Sequence, residues 1–181
     1  MMPGLPDLIG TGLDVLFCGI NPGMAAAASG LHFEGHSNRF WRVMHLSGFT
    51  PDALRPVDAE RLLGYGLGLT TVVERPTPGA GDLSKRDFAA AAAAFERKVT
   101  TYAPRYVAFL GKAAYVALSG QRHVEWGLQS SPLGTSRVWL LPNPSGRNRA
   151  FSLEQLAQAY RDLRLAVAET KTADPKGRPS S

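Results

Sequence analysis

Two asparagine–proline turns stand out among the residues able to do chemistry. Gly19-Ile20-Asn21-Pro22-Gly23 follows one apolar run, and Leu141-Pro142-Asn143-Pro144-Ser145-Gly146 follows another. An asparagine amide donates and accepts hydrogen bonds but has no accessible ionisation. Asn21 can therefore orient a water but cannot take its proton, and a hydrolysis built on it depends on a good leaving group. Arg147 and Arg149, just after the second turn, carry planar cations suited to phosphate or to stacking on bases. Each turn also has a plain structural alternative. Asn-Pro-Gly is ordinary turn chemistry, and Pro-Asn-Pro-Ser-Gly can simply end a strand.

Other familiar chemistries are excluded by spacing. Gly64, Gly66 and Gly68 precede a strand instead of following one, and Gly111-Lys112 lacks both the earlier glycine and a following Ser or Thr, so no nucleotide-binding loop is supported. Ser145 lies in Asn-Pro-Ser-Gly, which is not a nucleophile elbow. His32 and His36 are four apart, but Gly35 between them argues against a helical metal pair, and Glu34 points elsewhere on either geometry. No metal is expected. The single cysteine, Cys18, excludes an intrachain disulfide, a thiolate zinc site and a cysteine-ligated iron–sulfur cluster. That usage suits a reducing compartment. Residues 1–7 lack the basic leader and apolar core of a signal peptide, so a cytoplasmic location is expected.

The elements that must position the two turns follow from hydrophobic pattern and caps. Residues 13–20 read as a buried strand feeding a tight loop, and residues 24–36 as a long loop. Ser37 can N-cap a helix through Phe40, Trp41, Val43, Met44 and Leu46, with Gly48 placed to end it. Asp58 can cap a short helix to Leu63, and residues 66–73 read as a second strand. Ser84 with Asp87 makes a capping-box start for a helix to about Thr101 that contains six consecutive alanines, residues 89–94. Residues 106–110 form a third strand, 112–118 a helix and 138–141 a fourth strand. Ser152 with Gln155 caps a final amphipathic helix through Leu156, Tyr160, Leu163 and Val167, and the polar stretch from Thr170 reads as a disordered tail.

Strands alternating with helices predict a single α/β domain over residues 1–169, three layers deep, with a central four-stranded parallel sheet. In such sheets ligands bind outside the carboxyl ends of the strands, which places both turns on one edge. The length of 181 residues fits one core, and 44% hydrophobic with 19% charged residues excludes bulk disorder and a membrane span. A net charge of +5, with 15 Arg against 5 Lys, suits a polyanionic partner. Between Trp126 and Leu153 there is no acid and three arginines, Arg137, Arg147 and Arg149, which puts a local positive charge suited to a polyanion around the second turn.

Taken together, Asn21 after the first strand, Phe33, the run Ser37-Asn38-Arg39-Phe40-Trp41 and the proline-rich loop after the last strand give the chain its resemblance. It resembles the mismatch-specific uracil/thymine DNA glycosylases of the uracil-DNA glycosylase superfamily, and looks most like the bacterial branch that acts on G·U mismatches. The likeness runs from about Val15 to Leu165 and includes Arg75-Pro76-Thr77, Leu110-Gly111-Lys112 and Trp126-Gly127. It implies a monofunctional enzyme that removes uracil, and in some cases thymine or modified pyrimidines, opposite guanine in double-stranded DNA. It implies no cofactor, no metal and no membrane partner, with a monomer acting on the duplex.

By the same resemblance Asn21 positions the water and contacts the extruded base. Phe33 stacks on that base, backbone N–H groups around Ile20 and Phe33 meet the charge developing on it, and Asn38 holds the pocket edge or reads the base; the structural alternatives are a plain core aromatic for Phe33 and a helix cap for Asn38. Asn143 joins them in contacting substrate, while Ser145, Gly146, Arg147, Asn148 and Arg149 touch DNA. Arg147 falls where the family carries the wedge that enters the vacated space; bacterial relatives often have an apolar residue there. Lys85 and Lys112 are Schiff-base candidates only in principle, since the family does not imply a lyase step. The competing expectation is a non-catalytic basic nucleic-acid-binding domain with the same fold.

Overall fold

A strand covered by helices on both faces needs no polar side, and four of the runs in this chain have none. In the computed structural model, which describes residues 4–173, they become β1 (Val15–Gly19), β2 (Leu67–Thr71), β3 (Tyr106–Leu110) and, after the short β4 (Gly127–Leu128), β5 (Arg137–Leu141). The sheet order is β2-β1-β3-β5-β4. Its first four strands are parallel, with Val15 opposite Leu67 and Tyr106, and Val107 opposite Val138. The expected four-stranded parallel sheet is present, extended by one antiparallel edge in which Gly127 faces Leu140. Two residues, one of them a glycine at φ 91°, carry no periodicity from which that edge could be foreseen.

Among the described residues six α-helices cover the sheet: α1 (Met24–Ser29), α2 (Phe40–Leu46), α3 (Arg61–Gly64), α4 (Lys85–Tyr102), α5 (Ala113–Ser119) and α6 (Leu153–Ala173). Alternate strand residues point to opposite faces, so each strand feeds two cores. Val15, Phe17, Leu67, Leu69, Ala108 and Leu110 meet Phe40, Met44, Leu62, Leu156, Tyr160 and Leu163 on one side. Leu16, Cys18, Val107, Phe109, Val138 and Leu140 meet Phe88, Phe95, Val99 and Tyr115 on the other. The six alanines of α4 lie outside both clusters except for partly buried Ala91, so the run builds helix and faces mostly outward.

Several boundaries differ from the sequence expectation. Asp58 does not cap α3: it ends a 3-10 turn, Pro56–Asp58, and its Oδ2 accepts from the Arg55 N–H at 3.0 Å. Part of the loop 24–36 is helical: α1 has no side-chain cap and ends on Gly30 at φ 75°, so it rests on the burial of Ala26 and Ala27 rather than on local signals. The cap of α2 comes from Asn38, whose Oδ1 accepts the Phe40 N–H at 2.9 Å, and not from Ser37. Helix α6 continues to Ala173, past Thr170; the rest of the polar tail lies outside the described residues.

The beginning of the described chain closes the β2 edge. Leu8 and Leu69 exchange backbone hydrogen bonds at 2.9 and 2.8 Å. Asp7 accepts from Thr70 at 2.7 Å and pairs with Lys98 at 2.6 Å. Among the described residues no helix is long and apolar enough to cross a membrane.

Candidate active site

A cleft of about 710 Å³ opens at the carboxyl edge of the sheet, where both turns emerge. Ile20, Asn21, Phe33, Asn38, Asn143, Ser145, Gly146, Arg147 and Asn148 all line it. Arg149 is exposed outside it. Arg137 is far from it: as the first residue of β5, opposite Tyr106 at the start of β3, it sits at the amino edge. The expectation that all three arginines gather around the second turn is corrected accordingly, because a five-residue strand separates Arg137 from that turn.

At the floor, Asn21 is held by groups from the loop after β2. Its Nδ2 donates to the Arg75 carbonyl and to Thr77 Oγ1, both at 2.8 Å. Thr77 Oγ1 in turn donates to the Gly79 carbonyl at 2.7 Å, so its hydroxyl has an oxygen lone pair to offer Asn21. Both amide protons are thereby used, and a flipped amide would set Oδ1 against the Arg75 carbonyl. The orientation is fixed, and Oδ1 keeps its acceptor capacity without a partner among the described residues. Thr77 is 3% exposed, so this support is shielded from water.

Phe33 forms a wall. Its backbone has φ 54°, a conformation that costs a bulky residue roughly 1–3 kcal/mol and persists only where surroundings enforce it. Its ring stacks on Phe40 with centroids 4.1 Å apart and planes at 26°. Phe40 is fully buried, so one face of the Phe33 ring is occupied by the core, while the residue itself lines the cleft. The neighbouring His32 explains how the turn is kept. Its imidazole is 4% exposed, Nε2 lies 2.6 Å from the Pro6 carbonyl, and its own carbonyl accepts from Trp41 Nε1 at 3.0 Å. Burial pulls its pKa below the ordinary 6.5 against the opposing effects of the Pro6 contact and Asp7. His32 is thus a structural anchor of the Phe33 turn, and among the described residues no cluster of His, Cys, Asp or Glu could hold a metal ion.

Asn38 and Asn143 each commit one amide atom to the backbone. Asn38 Oδ1 caps α2, and Asn143 Oδ1 accepts from Ser145 N–H at 2.9 Å. In both, the Nδ2 donor borders the cleft without a side-chain role in those caps. The carbonyl of Asn143 accepts from Asn148 Nδ2 at 2.9 Å, and Arg147 N–H donates to Ser145 Oγ at 3.2 Å, so the second turn is knitted to itself. Gly146 is required by close approach: a Cβ there would lie 2.6 Å from the Ser37 carbonyl oxygen and 2.7 Å from Ser37 Cβ. Arg147 reaches across the mouth, its Nη1 2.8 Å from where a Cβ on Gly79 would stand. The second turn therefore closes on Ser37, with Gly79 of the loop after β2 under Arg147.

Three supporting residues carried no role in the sequence expectation: Thr77, Tyr160 and Arg39. Tyr160 is fully buried and donates to the Pro142 carbonyl at 3.2 Å. Arg39 donates to the carbonyls of Pro144 and Ser145 in the second turn and of Asn148 and Phe151 just after it. One signal for it was present, since a cation at a helix amino end opposes the helix dipole and calls for another reason to be there. Lys112 does not line the cleft; its Nζ lies 4.5 Å from the centroid of Trp126, which packs edge-on against Phe151 at 5.5 Å.

Comparison with known proteins decides the family. The model of the Uracil DNA glycosylase superfamily matches residues 6–164, most of the chain. The chain belongs to the uracil DNA glycosylase superfamily. A solution NMR structure from Methanosarcina acetivorans, provisionally named a uracil DNA glycosylase, is similar over 90% of this chain and 98% of its own, with 19% identity and a TM-score of 0.55. That likeness supports the α/β fold. Superfamily membership supports a hydrolase of the DNA glycosylase kind with DNA as its partner, and both turns of the cleft lie within the matched residues.

Proposed function

We propose that this superfamily member is a monofunctional DNA glycosylase that hydrolyses the N-glycosidic bond of uracil mispaired with guanine in double-stranded DNA. The observation that carries the chemistry is the locked amide of Asn21, with both Nδ2 protons donated and Oδ1 turned free at the cleft floor. Oδ1 accepts a hydrogen bond from the attacking water and so orients its oxygen lone pair toward C1′. The C1′–N1 bond breaks with its electron pair leaving on uracil, the water oxygen bonds C1′, and the water's proton passes to solvent or to the released base. Asn21 takes no proton, so the rate depends on how well the departing anion and the oxocarbenium-like sugar are steadied. The Phe33 N–H, which serves no acceptor among the described residues, is available to the uracil oxygen.

A weak activating group restricts the enzyme to bases that leave easily and extrude cheaply, and uracil opposite guanine meets both conditions. Ala25 and Ala26 border the cleft with small side chains, leaving room for a 5-methyl group and hence for thymine as a slower substrate. Arg147 supplies the wedge, by stacking and by reaching phosphate. No step uses a metal or cofactor, and the enzyme acts as a monomer.

The test is a single-turnover series on labelled G·U, A·U and G·T duplexes and on single-stranded uracil, each followed by alkali. Fastest scission on G·U, with G·T slower, is the expected order. Intact strands throughout, under enzyme excess, would leave only a non-catalytic DNA-binding domain.

A further inference from the structure

Arg39 sits at the amino end of α2, one residue from the Asn38 cap, and its side chain is turned away from that helix toward the second turn. Its Nη2 donates to the carbonyls of Ser145 at 2.9 Å and Asn148 at 2.8 Å, its Nη1 to Phe151 at 2.7 Å and its Nε to Pro144 at 3.4 Å. Its backbone N–H also donates to the Pro144 carbonyl at 3.0 Å. Four of the five guanidinium protons thus hold the backbone on both sides of Arg147, over a span of eight residues. No carboxylate pairs with Arg39 among the described residues, so its positive charge is not cancelled beside a surface meant for phosphate.

A cation at the positive end of a helix is opposed by the helix dipole, and here it is held by the four backbone carbonyls it satisfies. What the guanidinium supplies is rigidity of a particular kind: a planar fork meets several carbonyls at once and fixes their relative positions. The carbonyls it fixes belong to the segment that presents Arg147, while its own backbone continues into the helix whose Phe40 supports Phe33. Arg39 is therefore the direct link between the wall of the base pocket and the loop that enters the duplex.

We propose that Arg39 is a positioning residue for strand entry: it holds the 144–151 backbone in the shape from which Arg147 penetrates the stack, in register with the pocket that receives the base. The proposal rests on the glycosylase function above and adds the residue that couples extrusion to capture. A group that only stabilises the fold would slow all substrates alike. One that positions the wedge should matter most where extrusion is costly and least where the base opposite is missing.

The experiment compares wild type, Arg39→Ala and Arg39→Lys in single-turnover assays on a G·U duplex and on the same duplex with uracil opposite a tetrahydrofuran abasic site, where no pair must be broken. Arg39→Ala is expected to lose about 10²-fold on G·U, the scale of a lost contribution to base extrusion, and less than about threefold opposite the abasic site. Arg39→Lys, which keeps the charge but cannot span four carbonyls, is expected to lose about tenfold on G·U and nothing opposite the abasic site. In an Arg147→Ala background the Arg39 substitutions should cost less than about twofold more on G·U, because the residue they position is already gone. Circular dichroism and melting establish that the variants are folded; if Arg39→Ala is not, the lysine variant carries the test by the same criteria. Equal losses on the two duplexes, or losses that multiply with Arg147→Ala, would overturn the positioning role while leaving the glycosylase intact. A wild type inert on both duplexes would overturn the function and this role together.

Discussion

The turn after β1 and the turn after β5 share an asparagine–proline pair and a sheet edge, yet they are held by opposite means. In the first, a side chain is gripped: the Asn21 amide is fixed by Arg75 and Thr77 from a different loop, while Oδ1 is left for chemistry. In the second, the backbone is gripped: Arg39, Tyr160 and Asn148 occupy its carbonyls, while the Arg147 and Arg149 side chains project exposed. One turn is built to present a single atom at a set place. The other is a stiff base for exposed side chains. Under the proposed function the difference separates catalysis from DNA engagement, and substitutions in the two turns should separate them as well.

The strongest test of that division is Asn21→Ala. Losing one positioned polar group at the reacting centre is expected to cost roughly 10² or more in single-turnover rate on G·U, with duplex affinity largely kept. Affinity measured by fluorescence anisotropy that fell in step with the rate would show that the first turn also carries binding, and the division would fail. A smaller effect is expected one bond further out. Thr77→Val keeps shape but removes the oxygen that orients the amide, and a hydrogen bond worth about 1 kcal/mol net corresponds to several-fold in rate. Thr77→Ser should restore most of it. Wild-type rates in Thr77→Val would mean that the Arg75 carbonyl alone fixes Asn21.

How far these roles were legible follows from what holds each residue. Either turn alone is ordinary turn chemistry; Asn21 and Asn143 could be found because both runs had to end on the same edge and because, with Phe33 and the run from Ser37 to Trp41, the two turns carry the family resemblance. The strands and the caps of α4 and α6 were equally plain, and the reciprocal bonds of Ser84 with Asp87 and of Ser152 with Gln155 are in place. Arg39 and Thr77 were not legible in role, since their partners are mainly backbone carbonyls. Every residue has one, so residue type says nothing about which loop supplies it. Thr77 lies 56 residues from Asn21 and Arg39 more than 100 from its partners, distances that only the folded sheet edge removes. Arg137 failed for the complementary reason. It is near Arg147 in sequence, but a strand carries them to opposite edges.

The smallest effect sharpens the comparison through pH. The Phe33 turn hangs on His32, whose Nε2 faces a carbonyl and must therefore carry the proton in the neutral ring. Burial lowers its pKa in the folded state. Between that lowered value and the ordinary 6.5 the unfolded chain binds the extra proton and the folded one does not, so stability rises with pH across this window and is lost as pH falls below about 6.5. Residues 142–151 contain no Asp, Glu or His. Hydrogen exchange followed from pH 7.5 to 5.5, corrected for intrinsic rates, should therefore show loosening around residues 30–36 with 142–151 unchanged, and melting should fall by no more than a few degrees. His32→Gln, which can keep a donor toward Pro6 without a titrating ring, should flatten the response of the first segment. Parallel loosening of both segments would mean that the two turns behave as one unit, and that fixing a side chain and fixing a backbone are not independent here.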